Sequence, residues 1–440
     1  MANSLTKSFA IIGAGFAGLS AARELTKAGY DVTLIEASEA VGGLAGAFET
    51  KGEKLDCFYH HWFTNDLEVM SLIDELGLSD NVIANSTKTG LYYSNKIFKL
   101  STPLDLLKFT ALPFIDRIRL GLLTLRARAV KDWKQLEDIS ASEWLRKLGG
   151  EKVFKVVWEP LLKGKFGPYA NDVSAVWFWN KIKLRGGSRG KGGEERLAYF
   201  KGSFANLSEA VATDIISNGG KVLLNSPVST IKPTSDSGWA ISGSWGELKC
   251  DKVIVTTALP LTAEMISGWV DNKYYEKLKR IEYLANVCLI LRLDRSLSST
   301  YWLNINDTSF PFVGIIEHTN FEHTDTYAGE HIVYLSKYLP HTDLIYKMND
   351  DQILDFALPH LKRMFPDFEN SWLQGFHVWR ARWAQPVVEK KYSELIPSQN
   401  GPLPGFHICS MAQIYPEDRG TNYAIREGRR IAQELMVFDF

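Results

Sequence analysis

The chain has 440 residues, 45% of them hydrophobic, with 50 Lys and Arg against 51 Asp and Glu, a formal net charge of −1. That length exceeds one hydrophobic core, so two or three domains are expected, and the balanced charge excludes a bulk nucleic-acid partner. The four cysteines, Cys57, Cys250, Cys288 and Cys409, form no C-x-x-C pair, which argues against a zinc site or a disulfide framework and fits a reducing cytoplasm.

Residues 1–8 are short and polar, without the apolar centre of a signal peptide. No apolar run reaches the roughly 18 residues that span a bilayer. The expected location is cytoplasmic, free or peripheral on a membrane.

The first predicted strand, Ala10-Ile11-Ile12, enters the turn Gly13-Ala14-Gly15-Phe16-Ala17-Gly18. A helix is expected over 19–27 and a second strand over 31–35, ending at the acid Glu36. Gly13 permits a tight turn, Gly15 lets the backbone approach a diphosphate, and Gly18 lets helix and strand pack closely. The free N–H groups of the helix's first turn, at Phe16 and Ala17, attract the phosphate charge. Glu36 lies roughly 20 residues on, where a carboxylate accepts ribose hydroxyls. An acid there favours a free 2′-hydroxyl, hence FAD or NAD rather than NADP. After a spacer that begins at Ala37, the pair Gly42-Gly43 offers a second side-chain-free approach to the same diphosphate and tilts the choice to FAD.

The segment 54–63 is crowded with aromatics and holds Tyr59, His60 and His61. If it is extended, successive side chains face opposite ways, so one histidine alone of the pair faces a ligand; two histidines in a structural turn fit equally. A helix is expected over 67–76 and a hairpin over 89–100. From 103 to about 148 the pattern is helical, with Pro113 expected to kink it. Over residues 103–134, seven basic side chains stand against three acids, a surplus of four. Such a helix lies on a membrane surface or packs on its own protein with a solvated face. Residues 181–201 read as a basic, glycine-rich loop, either solvated or closing on an anion. Helix 204–218, strand 221–228, a hairpin over 239–249 and strand 252–260 follow. Further strands are expected at 287–293, 312–317, 331–335 and 406–410, and a last helix over 422–435, with Thr421 or Asn422 capping it. Glu317 and His318 read as a surface salt link. No second Gly-x-Gly-x-x-Gly unit occurs, so no separate NAD(P) domain is expected. Electrons would pass to oxygen, a quinone or another acceptor, unless the reaction is redox-neutral.

Gly13 to Gly18, Glu36 and Gly42-Gly43-Leu44-Ala45-Gly46 resemble the N-terminal signature of the flavin amine oxidase superfamily. That group includes protoporphyrinogen oxidases and phytoene desaturases and, more distantly, UDP-galactopyranose mutases. Leu44 stands where many members carry a basic residue. The run from Tyr415 to Gly428 resembles the C-terminal flavin motif, with Ser410-Met411 in place of the usual Gly and acid, so that Glu417 or Asp418 would take the acid's role. The segment Trp379-Arg-Ala-Arg-Trp-Ala-Gln-Pro386 resembles one that borders the flavin.

The resemblance implies FAD as cofactor, bound through Gly13, Gly15, Phe16, Ala17, Gly18, Glu36, Ala37, Gly42, Gly43, Leu44, Val228, Thr257, Asp418, Thr421, Asn422 and Tyr423. Tyr59, His60 and His61 would line the reacting face, and no metal is expected. The expected fold class is α/β. A Rossmann-type FAD-binding domain comes from residues 1–55, 201–262 and 400–440, and a mixed-sheet substrate domain from 56–102 and 263–399. A helical insertion, 103–200, lies over the substrate cavity and in this group often touches lipid. The expected activity is hydride removal from an apolar or cyclic, optionally anionic, small molecule. A redox-neutral sugar mutase and a non-catalytic flavin scaffold are the rival readings.

Overall fold

A computed structural model describes residues 7–100, 102–187 and 196–437, with residues 185–187 as backbone alone. Five strands form a parallel sheet in the order Lys221–Leu223, Asp31–Ile35, Ser8–Ile12, Lys252–Val255 and Phe406–Ile408. Side chains of the central strand alternate between two cores, as the two-residue period of a strand demands. Phe9 and Ile11 pack with Leu19, Leu207, Val211 and Ile431 from the helices Phe16–Lys27, Ser203–Ser217 and Thr421–Val437. Ala10 and Ile12 pack instead with Ile231, Trp239 and Leu259. A parallel sheet covered on both faces needs such a doubly apolar strand, which is why residues 9–12 form a continuous hydrophobic run.

A second, mixed sheet has seven strands, in the order Leu373–Pro386, Tyr283–Leu293, His331–Leu339, Gly314–Glu317, Trp302–Ile305, Thr89–Tyr93 and Lys96–Lys99. Val287, Leu289 and Leu291 face the helix Asp350–Met364, while Cys288 and Ile290 face the core shared with the first sheet.

Between the two sheets in sequence lies a run of helices. Pro113 does not kink a long helix: it precedes a new one, Phe114–Ala129, and its carbonyl accepts from Asp116 and Arg117. Proline lacks the N–H that an unbroken helix would need, and it fits a helix start. The helices Ala141–Gly149, Glu159–Phe166 and Ala175–Gly187 follow. The last corrects the loop expected over 181–201. Trp177, Phe178, Trp179 and Ile182 pack on the core beside the insertion and carry the helix through Lys181 and Lys183. The strand Arg196–Phe200 pairs with Trp62–Phe63 and Val82–Ser86. Residues 188–195 of that basic stretch lie outside the described residues. Among the described residues no helix is long and apolar enough to cross a membrane.

Candidate active site

The turn after the first strand is shaped by contacts that exclude side chains. Gly13 has φ +100°, and a Cβ on Gly18 would stand 1.9 Å from the Gly13 carbonyl oxygen. Gly15 is different, since a Cβ there would meet nothing within 4 Å. Its neighbour Phe16 is buried in the core, and with Ala17 it opens a helix whose first N–H groups have no intrahelical acceptor. Glu36 closes the turn from the second strand: Oε2 accepts the Ala14 N–H at 2.7 Å and Oε1 the Ser38 N–H at 2.9 Å. Ala37, beside it, is exposed.

Gly42 and Gly43 both have positive φ, and the position of a Gly43 Cβ lies 3.3 Å from the Gly15 Cα, so the two glycine turns abut. Thr256 donates from Oγ1 to the carbonyls of Ile12 and Gly13, and the Thr257 methyl lies 3.5 Å from where a Gly13 Cβ would be. Ser226 donates its N–H to the Glu36 carbonyl, which places the segment leading to Val228 alongside the acid.

A cavity of about 410 Å³ adjoins this crevice, and Leu44, Tyr59, His60, His61, Asp418, Thr421, Asn422 and Tyr423 all line it. Residues 59–61 form no strand, so the alternation expected of an extended segment does not apply and both histidines reach the cavity wall. His60 stacks near Phe204, with Nδ1 3.9 Å from the Asp56 carboxylate. Burial, reinforced by Arg419 and His61, lowers its pKa to about 3, so it is neutral at physiological pH. His61 Nδ1 lies 3.2 Å from the Tyr301 hydroxyl. Tyr59 packs edge-on to Trp302, and burial lifts its phenol well above the usual range.

Of the two acids left open by the sequence, Glu417 pairs with Arg426 at 3.1 Å. Asp418 lines the cavity, bonded to Lys181 at 2.6 Å and to the Gln385 amide at 3.2 Å. Burial alone would raise the Asp418 pKa; Lys181, Lys165 and Arg419 overcome this and hold it well below the usual carboxylate range. Asn422 does not cap its own helix. Its Oδ1 accepts from Glu68 and Val69, at the start of the helix Leu67–Glu75. Ala381 and Ala384 border the cavity from the strand Leu373–Pro386, while Trp383 packs edge-on to Tyr283.

Glu317 and His318 form no surface link. Both are buried: Glu317 accepts from the backbone of Leu297 and Ser298, and His318 bonds the Tyr327 hydroxyl. A carboxylate at a strand end satisfies a loop's N–H groups more cheaply than it survives unpaired. Lys165, Trp158, Trp177, Asn286, Tyr338 and Arg419 also line the cavity and carried no signal in sequence beyond their neighbourhoods. Among the described residues no group of three His, Cys, Asp or Glu could hold a metal ion.

Residues 16–436 match the family described as flavin containing amine oxidoreductase. The chain is 22% identical over 454 residues to the 15-cis-phytoene desaturase of Narcissus pseudonarcissus, covering 97% of this chain and 79% of that protein. Its fold resembles that of a candidate protoporphyrinogen oxidase from Exiguobacterium sp. 255-15, with TM-score 0.78, 15% identity and coverage of 98% and 99% of the two chains. It also resembles reduced UDP-galactopyranose mutase, with TM-score 0.73, 16% identity and coverage of 98% and 96%. With nearly its whole length matched, and a glycine turn that opens into an enclosed cavity, the chain belongs to the flavin containing amine oxidoreductase family and is an oxidoreductase of that kind.

Proposed function

We propose that the chain holds FAD across the two glycine turns and uses it to remove hydride from a small apolar or cyclic molecule bound in the adjoining cavity. The observation that carries this reading is Leu44, which follows the second glycine turn directly and also lines the cavity. A dinucleotide whose diphosphate rests at Gly15 and Gly43 therefore extends towards Tyr59, His60 and His61.

The residues present fit that group. The open space at Gly15 is a cradle a Cβ would enter, and the first N–H groups of the helix Phe16–Lys27 favour phosphate charge. Each Glu36 oxygen has accepting capacity left for a ribose hydroxyl after its backbone bond. The start of the helix Thr421–Val437, at Thr421 and Asn422, brings the positive end of a helix dipole to the cavity. When bound, FAD would supply two-electron acceptance from carbon. The protein's part is to seat the donor against Tyr59 and Trp302, exclude water with the aromatic wall, and keep His60 as a neutral hydrogen-bonding group. Oxygen, a quinone or another diffusible acceptor would then take the electrons.

A peripheral membrane contact belongs to the same reading. The helix Phe114–Ala129 leaves Phe114 63% and Leu125 61% exposed, with Ile115, Ile118 and Leu122 also exposed and Arg117, Arg126 and Arg128 on the same helix. This combination suits a bilayer surface that offers the cavity an apolar substrate.

Anaerobic screening of the purified yellow protein with polyenes, porphyrinogens, amines and nucleotide sugars tests the reading. Bleaching by one of them supports it. Steady turnover of a nucleotide sugar without consumption of an acceptor would support a redox-neutral mutase instead, and a flavin that no donor reduces would support a scaffold.

A further inference from the structure

The cavity wall is mostly aromatic and aliphatic, yet three basic side chains converge on it. Lys165 comes from the helix Glu159–Phe166, Lys181 from the helix Ala175–Gly187, and Arg419 from the segment before the C-terminal helix. Lys181 is matched by Asp418 at 2.6 Å. Arg419 donates to the Gln385 side-chain oxygen and the Tyr338 hydroxyl, both at 3.1 Å and both uncharged partners. The Lys165 ammonium stands 5.0 Å over the Trp177 ring and 5.1 Å over the Tyr338 ring.

Two carboxylates face these three cations. One is Asp418; the other is Asp66, which accepts the Phe63 N–H at 2.9 Å. Three cations against two acids leave one positive charge in surplus when both acids are ionised. Burial pushes Asp66 up to about 6, so the surplus grows below that pH. His60 and His61 also line this space; neither supplies negative charge. A cation held beside apolar surface is costly unless an anion meets it, and the geometry leaves the chamber's remaining free volume as the place for that anion. The same surplus repels an ammonium.

We infer that the cavity selects a substrate with an apolar body and a terminal carboxylate, the carboxylate seated at Lys165 and Arg419 and the hydrocarbon against Trp158, Leu162, Trp177 and Phe178. The inference rests on the oxidoreductase reading for what happens to the bound molecule, but not for the charge it prefers. An amine of the same shape is rejected by the end of the cavity that accepts the acid.

The test is a binding titration of the holoprotein with dodecanoate, methyl dodecanoate and dodecylammonium below their aggregation limits. Emission is read from the tryptophans, of which Trp158, Trp177 and Trp302 line the cavity. Dodecanoate is expected to bind at least about tenfold tighter than the ester, a difference of about 1.4 kcal/mol, and dodecylammonium more weakly than the ester. Lys165→Met should erase most of the acid-over-ester preference while leaving ester binding unchanged, and Lys165→Arg should keep it. Equal or tighter binding of dodecylammonium overturns the inference. So does an acid-to-ester ratio that Lys165→Met leaves unmoved, and so does failure of all three probes to bind. The readout does not depend on flavin reduction. A protein that prefers the acid but that no donor bleaches would sink the oxidoreductase reading alone.

Discussion

Asn422 Oδ1 accepts the backbone N–H of Glu68 at 2.9 Å, so a side chain in the first turn of the C-terminal helix caps a helix more than three hundred residues earlier. The same oxygen takes the Val69 N–H at 3.2 Å, while the local N-cap residue, Asp66, makes no side-chain cap bond. Asn422→Ala should cost about 0.5–2 kcal/mol, the range for losing an N-cap, read as a lower thermal midpoint. A midpoint equal to that of the wild type would show that the cap carries no stability.

Gly15 and Gly18 separate fold from ligand. Gly18→Ala drives a methyl into the Gly13 carbonyl oxygen and should destabilise the protein and its flavin site together. Gly15→Ala meets no protein atom, so the thermal stability of flavin-free protein should change by less than about 0.5 kcal/mol. Flavin retention should still fall at least about tenfold, or about 1.4 kcal/mol, because the methyl occupies the cradle. Full retention in Gly15→Ala would remove the diphosphate from that turn.

Glu36→Ala should weaken FAD retention by about 1–3 kcal/mol, the cost of leaving hydrogen-bonding groups unpaired. Because Glu36 also holds the Ala14 N–H, Glu36→Gln is the finer probe. It keeps one accepting oxygen and should fall between wild type and alanine in an equilibrium dialysis of bound flavin.

Asp56 gives stability a pH dependence of a defined sign. It is buried, accepts from Tyr199, Ser203 and the Phe204 N–H, and burial pushes its pKa from 3.8 to about 7. Between those values the unfolded chain ionises while the native carboxyl keeps its proton, so the unfolded state binds fewer protons and stability falls as pH rises. The loss is complete above about pH 7 and is bounded by roughly 4 kcal/mol. His60 and His318, both lowered to about 3 from 6.5, act oppositely as pH falls through 6.5. The diagnostic quantity is therefore the difference between Asp56→Asn and wild type in denaturant unfolding. That difference should move in the variant's favour from pH 4 to 7 and then level off; a difference independent of pH would contradict the assignment.

Phe114→Asp combined with Leu125→Asp should abolish sedimentation with anionic phosphatidylserine vesicles while leaving the thermal midpoint unchanged, since both side chains are exposed. Vesicle binding by the wild type should weaken with added salt, as basic residues near the surface contribute roughly 1 kcal/mol each at low screening. Retained binding in the double variant would place the contact elsewhere.

What was legible in the sequence was what short-range backbone geometry dictates. The strand, glycine turn, helix, strand and acid over residues 10–36 could be read because glycine spacing and hydrophobic period act within a few residues. The same is true of most strands of the mixed sheet, although its long strand Leu373–Pro386 hides its alternation under basic and aromatic side chains. Pro113 was misread because proline both kinks helices and starts them, and only the packing of Leu112 and Phe109 decides between these. The Lys181–Asp418 pair, the Asn422 cap and the cationic cavity wall join residues from distant segments. No local pattern encodes those distances, and the apolar surroundings of Lys165 look in sequence like any amphipathic helix.

The order of strands in the parallel sheet also has a consequence during synthesis. The central strand Ser8–Ile12 pairs with Asp31–Ile35 at once, but its other neighbour is Lys252–Val255, whose outer edge awaits Phe406–Ile408. A ribosome making this chain must therefore hold an unfinished β edge through most of translation, and late, non-local pairing of this kind is slow. Nascent chains stalled before residue 406 would carry an uncovered hydrophobic strand, a target for chaperones and a hazard for aggregation.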